Sequence, residues 1–327
     1  MEVPIVVGPD ARPAGRASGF VGPLSRILNG DRLAHGLVFC CAACVILLTV
    51  LLAYELWANS ALSRMQFGWR FLFSSTWDPI AGKFGALPFI YGTVITTFLG
   101  LLFAIPLGIG AAVFLAELAR PRISDLMTFL IELLAAVPSV IIGLVGRFVL
   151  IPILEKIVPT LKSVLGLLPI FSGPFYGVSI FSAGIVLAFM ILPFIISISR
   201  EVLLAVPRDL REAALALGAT RWESTWHVVI PFARTGIIGS IFLAMARALG
   251  ETMAVTMVIG NSPKIMASLL APGYSIASVI ANEFTEATGD LYLSALIELG
   301  LVLFCLTIVI NGAARLHIMM TTAKGAK

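Results

Sequence analysis

The sequence predicts an all-α membrane protein with about six transmembrane helices. Its 327 residues are 59% hydrophobic and only 12% charged, and the mean hydropathy is +1.03. Such a composition lies far from that of a soluble domain. Six apolar stretches are long enough to cross about 30 Å of hydrocarbon. They are approximately 35–57, 89–116, 126–150, 179–200, 232–259 and 290–315.

Two of these spans contain residues that interrupt an apolar helix. The third contains Glu132 and Pro138, and the fifth contains Arg247 and Glu251. Segment 151–178 is also apolar but is broken by several prolines, and a lipid-facing span cannot leave that many backbone groups unpaired. We therefore expect this segment to be an excursion at the outer membrane face, with room for a short interfacial helix.

The basic residues are distributed unequally between the two sides of the predicted membrane. If the N-terminus lies in the cytosol, six basic residues fall in outer segments, namely Arg64, Arg70, Lys83, Lys156, Lys162 and Lys264. The larger cytosolic group is Arg12, Arg16, Arg26, Arg32, Arg120, Arg122, Arg200, Arg208, Arg211, Arg221, Arg234, Arg315, Lys324 and Lys327. Because cytosolic loops carry an excess of Lys and Arg, we expect cytosolic N- and C-termini. The net charge of +4 then reflects topology and not binding to nucleic acid.

The polar segment 201–231 predicts a surface helix, a turn and a second helix. Pro207 suits a first helical position, and Gly218 suits a left-handed stop after the helix. A capping box, Thr220 to Glu223, opens the next helix. The apolar residues between these signals recur at three and four residues, which predicts one helical face: Leu210, Ala213, Ala214 and Leu217.

Arg247 and Glu251 are the most informative charges inside a predicted span. If the fifth span begins near residue 232, Arg247 lies about 22 Å along it at ~1.5 Å per residue, past the membrane midplane. An arginine there costs on the order of 3 kcal/mol. Glu251, four residues later, would share its helix face and could pair with it. Two interpretations stay open: a neutral pair that holds helices together, or a solute pathway in which the guanidinium binds an oxyanion.

Other polar groups give weaker signals. Glu132, Arg147 and Glu298 are possible pathway residues, although a structural role is favoured for each. The cysteines and histidines form no ligand pattern, so no metal site is predicted. The sequence contains no phosphate-binding loop of the Gly-x-x-x-x-Gly-Lys type. If ATP drives this protein, a separate subunit must hydrolyse it.

Three motifs resemble those of the PstC-type permeases of phosphate-specific ABC transporters, within the binding-protein-dependent importer permeases. The first is an EAA loop, in which Glu212-Ala213-Ala214 is followed by Gly218 and then by Ile230-Pro231. The others are the runs Ala246–Asn261 and Glu132–Ser139. The PstA-type sister permeases are less similar through Met253–Asn261, which favours the PstC type. The resemblance covers about residues 35–320.

The resemblance implies a type I ABC importer permease fold that forms half of the translocation pathway for inorganic phosphate. It implies that Arg247 and Glu251 lie in or beside this pathway, and that Glu212, Ala213, Ala214 and Gly218 couple the chain to an ATPase. The implied partners are a PstA-like permease, two PstB-like ATP-binding subunits, an external PstS-like phosphate-binding protein and membrane lipid. The chain itself would be non-catalytic and without a cofactor, since the partner ATPase would bind ATP and Mg. The implied location is the bacterial cytoplasmic (inner) membrane.

These inferences divide the chain into successive regions. We predict a disordered cytosolic tail at 1–32, a first transmembrane helix at 33–57 and an outer loop at 58–88. A permease core follows at 89–316, with the coupling loop at 201–231, and a cytosolic tail at 317–327. Three alternatives remain: a permease for another oxyanion, a secondary or channel-like anion transporter, and a membrane scaffold or signalling subunit without transport.

Overall fold

The computed structural model describes residues 22–165 and 169–324. Within these ranges the regular structure is helical, and the one β-type pairing is an isolated bridge between Asp78 and Lys83. The α-helices are, in chain order, α1 Gly22–Asn59, α2 Ala61–Phe67, α3 Arg70–Phe73, α4 Leu87–Val113, α5 Pro121–Ala135, α6 Ser139–Val145, α7 Ile151–Leu165, α8 Ile180–Leu204, α9 Arg208–Ala216, α10 Arg221–Ser224, α11 Ile230–Leu249, α12 Met253–Ile259, α13 Ile276–Glu283 and α14 Asp290–Lys324.

Three π-helical segments either extend an α-helix or join two of them. Phe114–Leu118 continues α4, Gly146–Leu150 joins α6 to α7, and Thr225–Val229 joins α10 to α11. Such segments widen the helix by one residue and are frequent at functional sites. A short 3₁₀ turn, Pro169–Phe171, precedes α8.

The described residues divide into two units, which separate between Tyr54 and Glu55. Five helices of the described residues are long and apolar enough to cross a membrane, and a helix pair bent by 95° is either a sixth, broken span or a re-entrant loop. The five are Leu33–Asn59, Leu87–Leu118, Ile180–Leu204, Arg221–Leu249 and Asp290–Leu316. This confirms a multi-pass helical membrane protein, and the predicted spans 35–57, 89–116, 179–200 and 290–315 each lie on one of these helices.

The predicted third span, 126–150, bends sharply at its expected interruption. Helix α5 ends at Ala135, and the helical stretch that begins at Ser139 runs at 95° to it. Pro138 explains the break, because proline lacks an N–H and disfavours helical backbone at the residue before it. The stretch continues through α7 to Leu165. Much of segment 151–178 is therefore a long helix and not an irregular excursion.

The predicted fifth span, 232–259, is also divided. Helix α11 ends at Leu249, and α12 begins only at Met253. Gly250 and the two residues after it form the break. Helix α6 packs against α12, since a Cβ added at Gly143 would lie 3.0 Å from the Cα of Ala254. The second helices of both divided spans therefore pack against each other.

Helices α4 and α8 form the centre of the larger unit. Small residues of α4 lie against α8, where a Cβ at Gly100 would lie 3.2 Å from Leu187 and one at Gly108 would lie 2.7 Å from Ile195. Between α8 and α11, the hydroxyl groups of Ser199 and Ser240 are buried and lie 2.7 Å apart. Small residues thus permit the close backbone approach that stabilises helices in lipid.

The ends of the chain differ in part from the predicted regions. Helix α1 begins at Gly22, inside the predicted tail 1–32, and residues 1–21 lie outside the described ranges. The predicted outer loop 58–88 contains the short helices α2 and α3. Helix α14 extends to Lys324 and so includes most of the predicted tail 317–327.

Candidate functional site

The segment between α8 and α11 forms the predicted helix, turn and second helix. Helix α9 follows Pro207, which is the N-cap residue and not the first helical residue as expected. Gly218 has φ +89°, which confirms the predicted left-handed stop. Thr220 and Glu223 form the predicted capping box, in which the Thr220 N–H donates to Glu223 Oε2 at 2.8 Å.

The exposed surface of α9 carries the EAA residues. Glu212, Ala213 and Gly218 are exposed, and Ala214 is half-buried. Leu217 is 90% exposed, whereas Leu210 packs against the core formed by α4, α8 and α11. The predicted single apolar face is therefore divided between the core and the surface.

Arg211 anchors α9 to the end of the second span. Its Nη2 lies 2.8 Å from Oε1 of Glu117, and its Nε donates to both carboxylate oxygens at 3.2 and 3.3 Å. The guanidinium also donates to the carbonyls of Leu203, at 2.7 Å, and Val206. Sequence reasoning missed this pair, because it counted Arg211 only as a topological charge and gave Glu117 no role. The available signal was an acidic residue at the end of the second predicted span and a basic residue next to the EAA motif.

Arg247 and Glu251 do not form the ion pair that a spacing of four helical residues would allow. Among the described side chains, no contact within 4.0 Å joins them, because α11 ends at Leu249 and the helical spacing of four residues is lost. Arg247 is exposed, and its guanidinium carbon lies 4.3 Å from the ring centroid of Phe194. Glu251 is half-buried and its Oε1 accepts from the N–H of Ala254 at 3.2 Å. This carboxylate therefore caps α12.

The Arg247 guanidinium thus has no carboxylate partner within the described residues. Phe194 provides an aromatic face that attracts and positions a guanidinium, and no pattern in the sequence indicates this contact. An exposed residue of a membrane span faces lipid, a partner chain or a water-filled passage. An unpaired arginine is costly against lipid, so the last two environments suit this side chain.

The three weaker candidates for the pathway lie on other helical segments than Arg247 and Glu251. Glu132 is exposed near the end of α5, and Arg147 is exposed on the π-helical segment Gly146–Leu150. Glu298 is only 5% exposed on α14, and its Oε2 has no hydrogen-bond partner among the described residues. No ion pair in the described ranges connects any of the three to Arg247 or Glu251. The described part of the chain also contains no cluster of three or more metal-ligating side chains.

The profile of one protein family matches residues 104–318 of the chain. The family is described as the binding-protein-dependent transport system inner membrane component. The chain belongs to this family. The matched region includes α9, both divided spans and Arg247, but it excludes α1 and the short helices α2 and α3.

Individual relatives extend the similarity over most of the chain. A phosphate transport system permease protein PstC of Mesorhizobium japonicum is 45% identical over 96% of this chain and 98% of its own length. One of the same name from Pasteurella multocida is 48% identical over 80% of this chain and 83% of its own. The PstC-type resemblance expected from the three motifs is confirmed.

Solved structures support the fold. A bacterial alginate ABC transporter, in complex with a periplasmic protein bound to an alginate pentasaccharide, contains a chain that superposes with a TM-score of 0.55 at 16% identity. The match covers 88% of this chain and 94% of that chain. The fold is that of type I ABC importer permeases, as predicted. The chain is therefore a multi-pass membrane component of an ABC transport system.

Proposed function

We propose that this protein is a permease subunit of an ATP-driven importer and forms half of the translocation pathway for inorganic phosphate. The motifs around Arg247 and Glu212 support this proposal, as do relatives that carry the name phosphate transport system permease protein and share 45% and 48% identity with it. The observation that carries the proposal is the exposed, unpaired guanidinium of Arg247 at the break in its span. It offers a positive charge in an apolar surrounding, where an oxyanion is bound strongly.

Arg247 and Glu251 have different roles in this pathway. Arg247 attracts the anion and binds two of its oxygens, while Phe194 holds the guanidinium in place. Glu251 fixes the first turn of α12 through Ala254 and can accept a hydrogen bond from a protonated phosphate. Glu132, Arg147 and Glu298 act at most on the approach to this site, because none of them contacts it in the described residues.

The surface of α9 couples transport to ATP hydrolysis. Glu212, Ala213, Ala214 and Gly218 belong to the region that docks into a groove of an ATP-binding subunit, and Leu217 adds an exposed apolar side chain there. Closure of two such subunits alternates the access of the pathway between the two sides of the membrane. ATP binding can shift this equilibrium only through contacts that differ between the two states.

The complete importer contains further components. The proposed partners are a PstA-like permease, a pair of PstB-like ATPases that bind ATP and Mg, and an external PstS-like phosphate-binding protein. This chain catalyses no reaction and binds no cofactor of its own. It lies in the bacterial inner membrane, with the α9 surface and both termini in the cytosol.

Reconstituted uptake tests the proposal. The chain is co-expressed with its partner subunits and incorporated into liposomes containing ATP, and uptake of radiolabelled phosphate is measured after the binding protein is added outside. We expect ATP-dependent phosphate uptake that equimolar sulfate leaves unchanged. Uptake of sulfate in place of phosphate would support a permease for another oxyanion. Uptake without any ATPase would support a secondary or channel-like transporter, and absence of uptake by an intact complex would support a scaffold.

A further inference from the structure

The short helices α2 and α3 lie near the end of α1, the start of α4 and the start of α14. The Ser294 hydroxyl, in the first turn of α14, donates to the carbonyl of Asn59 at 2.9 Å and accepts from the N–H of Ser63 at 3.1 Å. The N–H of Ala86, just before α4, donates to the carbonyl of Phe71 at 2.7 Å. Residues 61–73 therefore lie at one membrane boundary. This boundary is opposite α9, which is bound to Glu117 beyond the other end of α4.

This segment has one buried side and one strongly apolar exposed side. Ser63 and Phe71 are buried against the larger unit. Met65, Trp69 and Phe73 are 88%, 81% and 75% exposed. Apolar and aromatic side chains exposed at a membrane boundary are stabilised between the lipid headgroups and the acyl chains. The segment thus has the side chains of an interfacial membrane contact.

Basic residues lie beside these apolar side chains. An open surface depression of about 380 Å³ is lined by Trp69, Arg70, Phe73 and Ser74. A second depression of about 250 Å³ shares Arg70 and Ser74 with it and adds the side chains Phe67, Thr76, Lys83 and Phe84. We call the two together the Arg70 cleft. Its lining combines two cationic side chains, two hydroxyl groups and several aromatic rings.

The cations of the Arg70 cleft have no carboxylate partner. Within the described residues, neither Arg70 nor Lys83 lies within 4.0 Å of an acidic oxygen. No acidic residue occurs between Glu55 and Asp78 in the sequence. Asp78 Oδ1 accepts from the N–H groups of Ile80 and Ala81, both at 3.0 Å. The cleft therefore presents two cationic side chains that no carboxylate contacts within the described residues.

We propose that the Arg70 cleft binds an anionic phospholipid. Arg70 and Lys83 contact the headgroup phosphate, and the hydroxyl groups of Ser74 and Thr76, which line the cleft, donate to its oxygens. The acyl chains lie along Trp69 and Phe73. A free phosphate ion would use the cations alone and would gain nothing from the exposed aromatic side chains, whereas an anionic lipid satisfies both. The cleft lies outside the matched family region 104–318.

The test uses the complete complex reconstituted in nanodiscs of phosphatidylcholine with or without phosphatidylglycerol. Tryptophan fluorescence is quenched with brominated forms of either lipid, and a Trp69→Phe complex identifies the contribution of Trp69. We expect brominated phosphatidylglycerol to quench Trp69 more strongly than brominated phosphatidylcholine. Arg70→Gln and Lys83→Gln should each reduce this preference by roughly fivefold, the effect of about one interfacial charge. Lys264→Gln, which removes an exposed lysine outside the cleft, should leave the preference unchanged.

Other results would overturn the proposal. Equal quenching by the two brominated lipids would show that the segment contacts membrane without selecting an anionic headgroup. Loss of the phosphatidylglycerol preference on addition of inorganic phosphate would identify the cleft as a site for the free ion. Protection of Trp69 from both lipids by the external binding protein would identify a protein-docking surface. Each variant is first checked for normal assembly, and Lys83→Gln, which removes the other cation of the cleft, carries the test if Arg70→Gln does not assemble.

Discussion

Arg211 on α9 and Glu117 at the end of the second span form a mostly buried ion pair, with 2.8 Å between Nη2 and Oε1. Arg211 is next to Glu212 of the EAA motif, and Glu117 lies in the π-helical segment that extends α4. The pair therefore connects the proposed ATPase-docking surface directly to a membrane-spanning helix. Any displacement of α9 must either move the end of α4 or break this pair.

Removal of one charge from this pair should uncouple transport from ATP hydrolysis. Glu117→Gln leaves the Arg211 guanidinium without its counter-ion, and loss of one partner of a buried pair is costly, up to about 3–5 kcal/mol where burial is complete. We expect phosphate uptake to fall at least tenfold while the assembled complex still hydrolyses ATP. The measurement is the ratio of phosphate imported to ATP hydrolysed in liposomes.

The double variant Glu117→Gln, Arg211→Gln separates a specific connection from general damage. Two neutral amides of similar size can still form a hydrogen bond, and no buried charge remains unpaired. Stability should therefore recover, whereas coupling should stay low because the charge-assisted contact is lost. Normal coupling in the double variant would contradict the proposed role of the pair.

Gly218→Val should impair the same coupling for a different physical reason. A β-branched residue resists the φ of +89° at this position, at a cost of about 1–3 kcal/mol. The turn after α9 should therefore rearrange, and uptake should fall. Gly239→Val is a matched control, because a Cβ there meets no atom within 4 Å and the backbone is ordinary helix.

Glu212→Lys tests the docking surface itself. The side chain is exposed on α9, so the substitution should leave folding unchanged while it reverses the charge offered to the ATP-binding subunit. We expect weaker co-purification of that subunit and loss of ATP-dependent uptake. Unchanged uptake by both Glu212→Lys and Gly218→Val, at normal expression, would remove the coupling assignment of this segment.

Much of the fold could be predicted from the sequence because lipid imposes strong constraints. Long apolar stretches must be helices, since the backbone groups have no water to bond. The EAA helix, its left-handed Gly218 and the capping box of Thr220 follow from local rules that hold without tertiary context. The predicted orientation of the chain remains a prediction, as nothing in the fold identifies the cytosolic side.

The divided spans could not be derived in the same way. Pro138 was visible as an interruption, but hydropathy does not distinguish a kink from the observed 95° bend. The possible pairing of Arg247 with Glu251 assumed a continuous helix through Gly250. Helix α11 instead ends at Leu249 with Gly250 as its C-cap, and α12, which packs against α6, begins only at Met253. The contact of Arg211 with Glu117 spans 94 positions, beyond the reach of any local pattern.

Gly143→Ala should destabilise the packing between α6 and α12. A Cβ at this position would lie 3.0 Å from the Cα of Ala254 and 2.8 Å from the sulfur of Met257. Because backbone must move to accommodate it, we expect a loss of about 1–3 kcal/mol, visible as a lower Tm in detergent. Gly110→Ala, where a Cβ meets open space, should instead raise stability by about 0.5–1 kcal/mol. Equal Tm values for the two variants would contradict the close approach of these helices.

Arg247→Gln should abolish phosphate uptake without loss of assembly. The substitution keeps a polar side chain but removes the unpaired charge proposed to bind the anion. Arg247→Lys should recover only part of the uptake, because an ammonium group cannot reproduce the planar, bidentate fork of guanidinium. Phe194→Leu keeps the charge and removes the aromatic face 4.3 Å from it, so we expect weaker phosphate binding with transport retained. Uptake is measured against phosphate concentration for each assembled variant.

Glu251→Gln distinguishes the pathway from a structural pair. Because Arg247 does not contact Glu251 in the described structure, neutralising the carboxylate should leave the arginine in place and preserve assembly. The amide oxygen can still accept from the Ala254 N–H, so α12 keeps its cap. We expect uptake to become less dependent on the protonation state of phosphate, seen as a changed pH profile. If the variant with Gln at both positions 247 and 251 transported phosphate fully, the two residues would be structural, and the proposed pathway would be wrong.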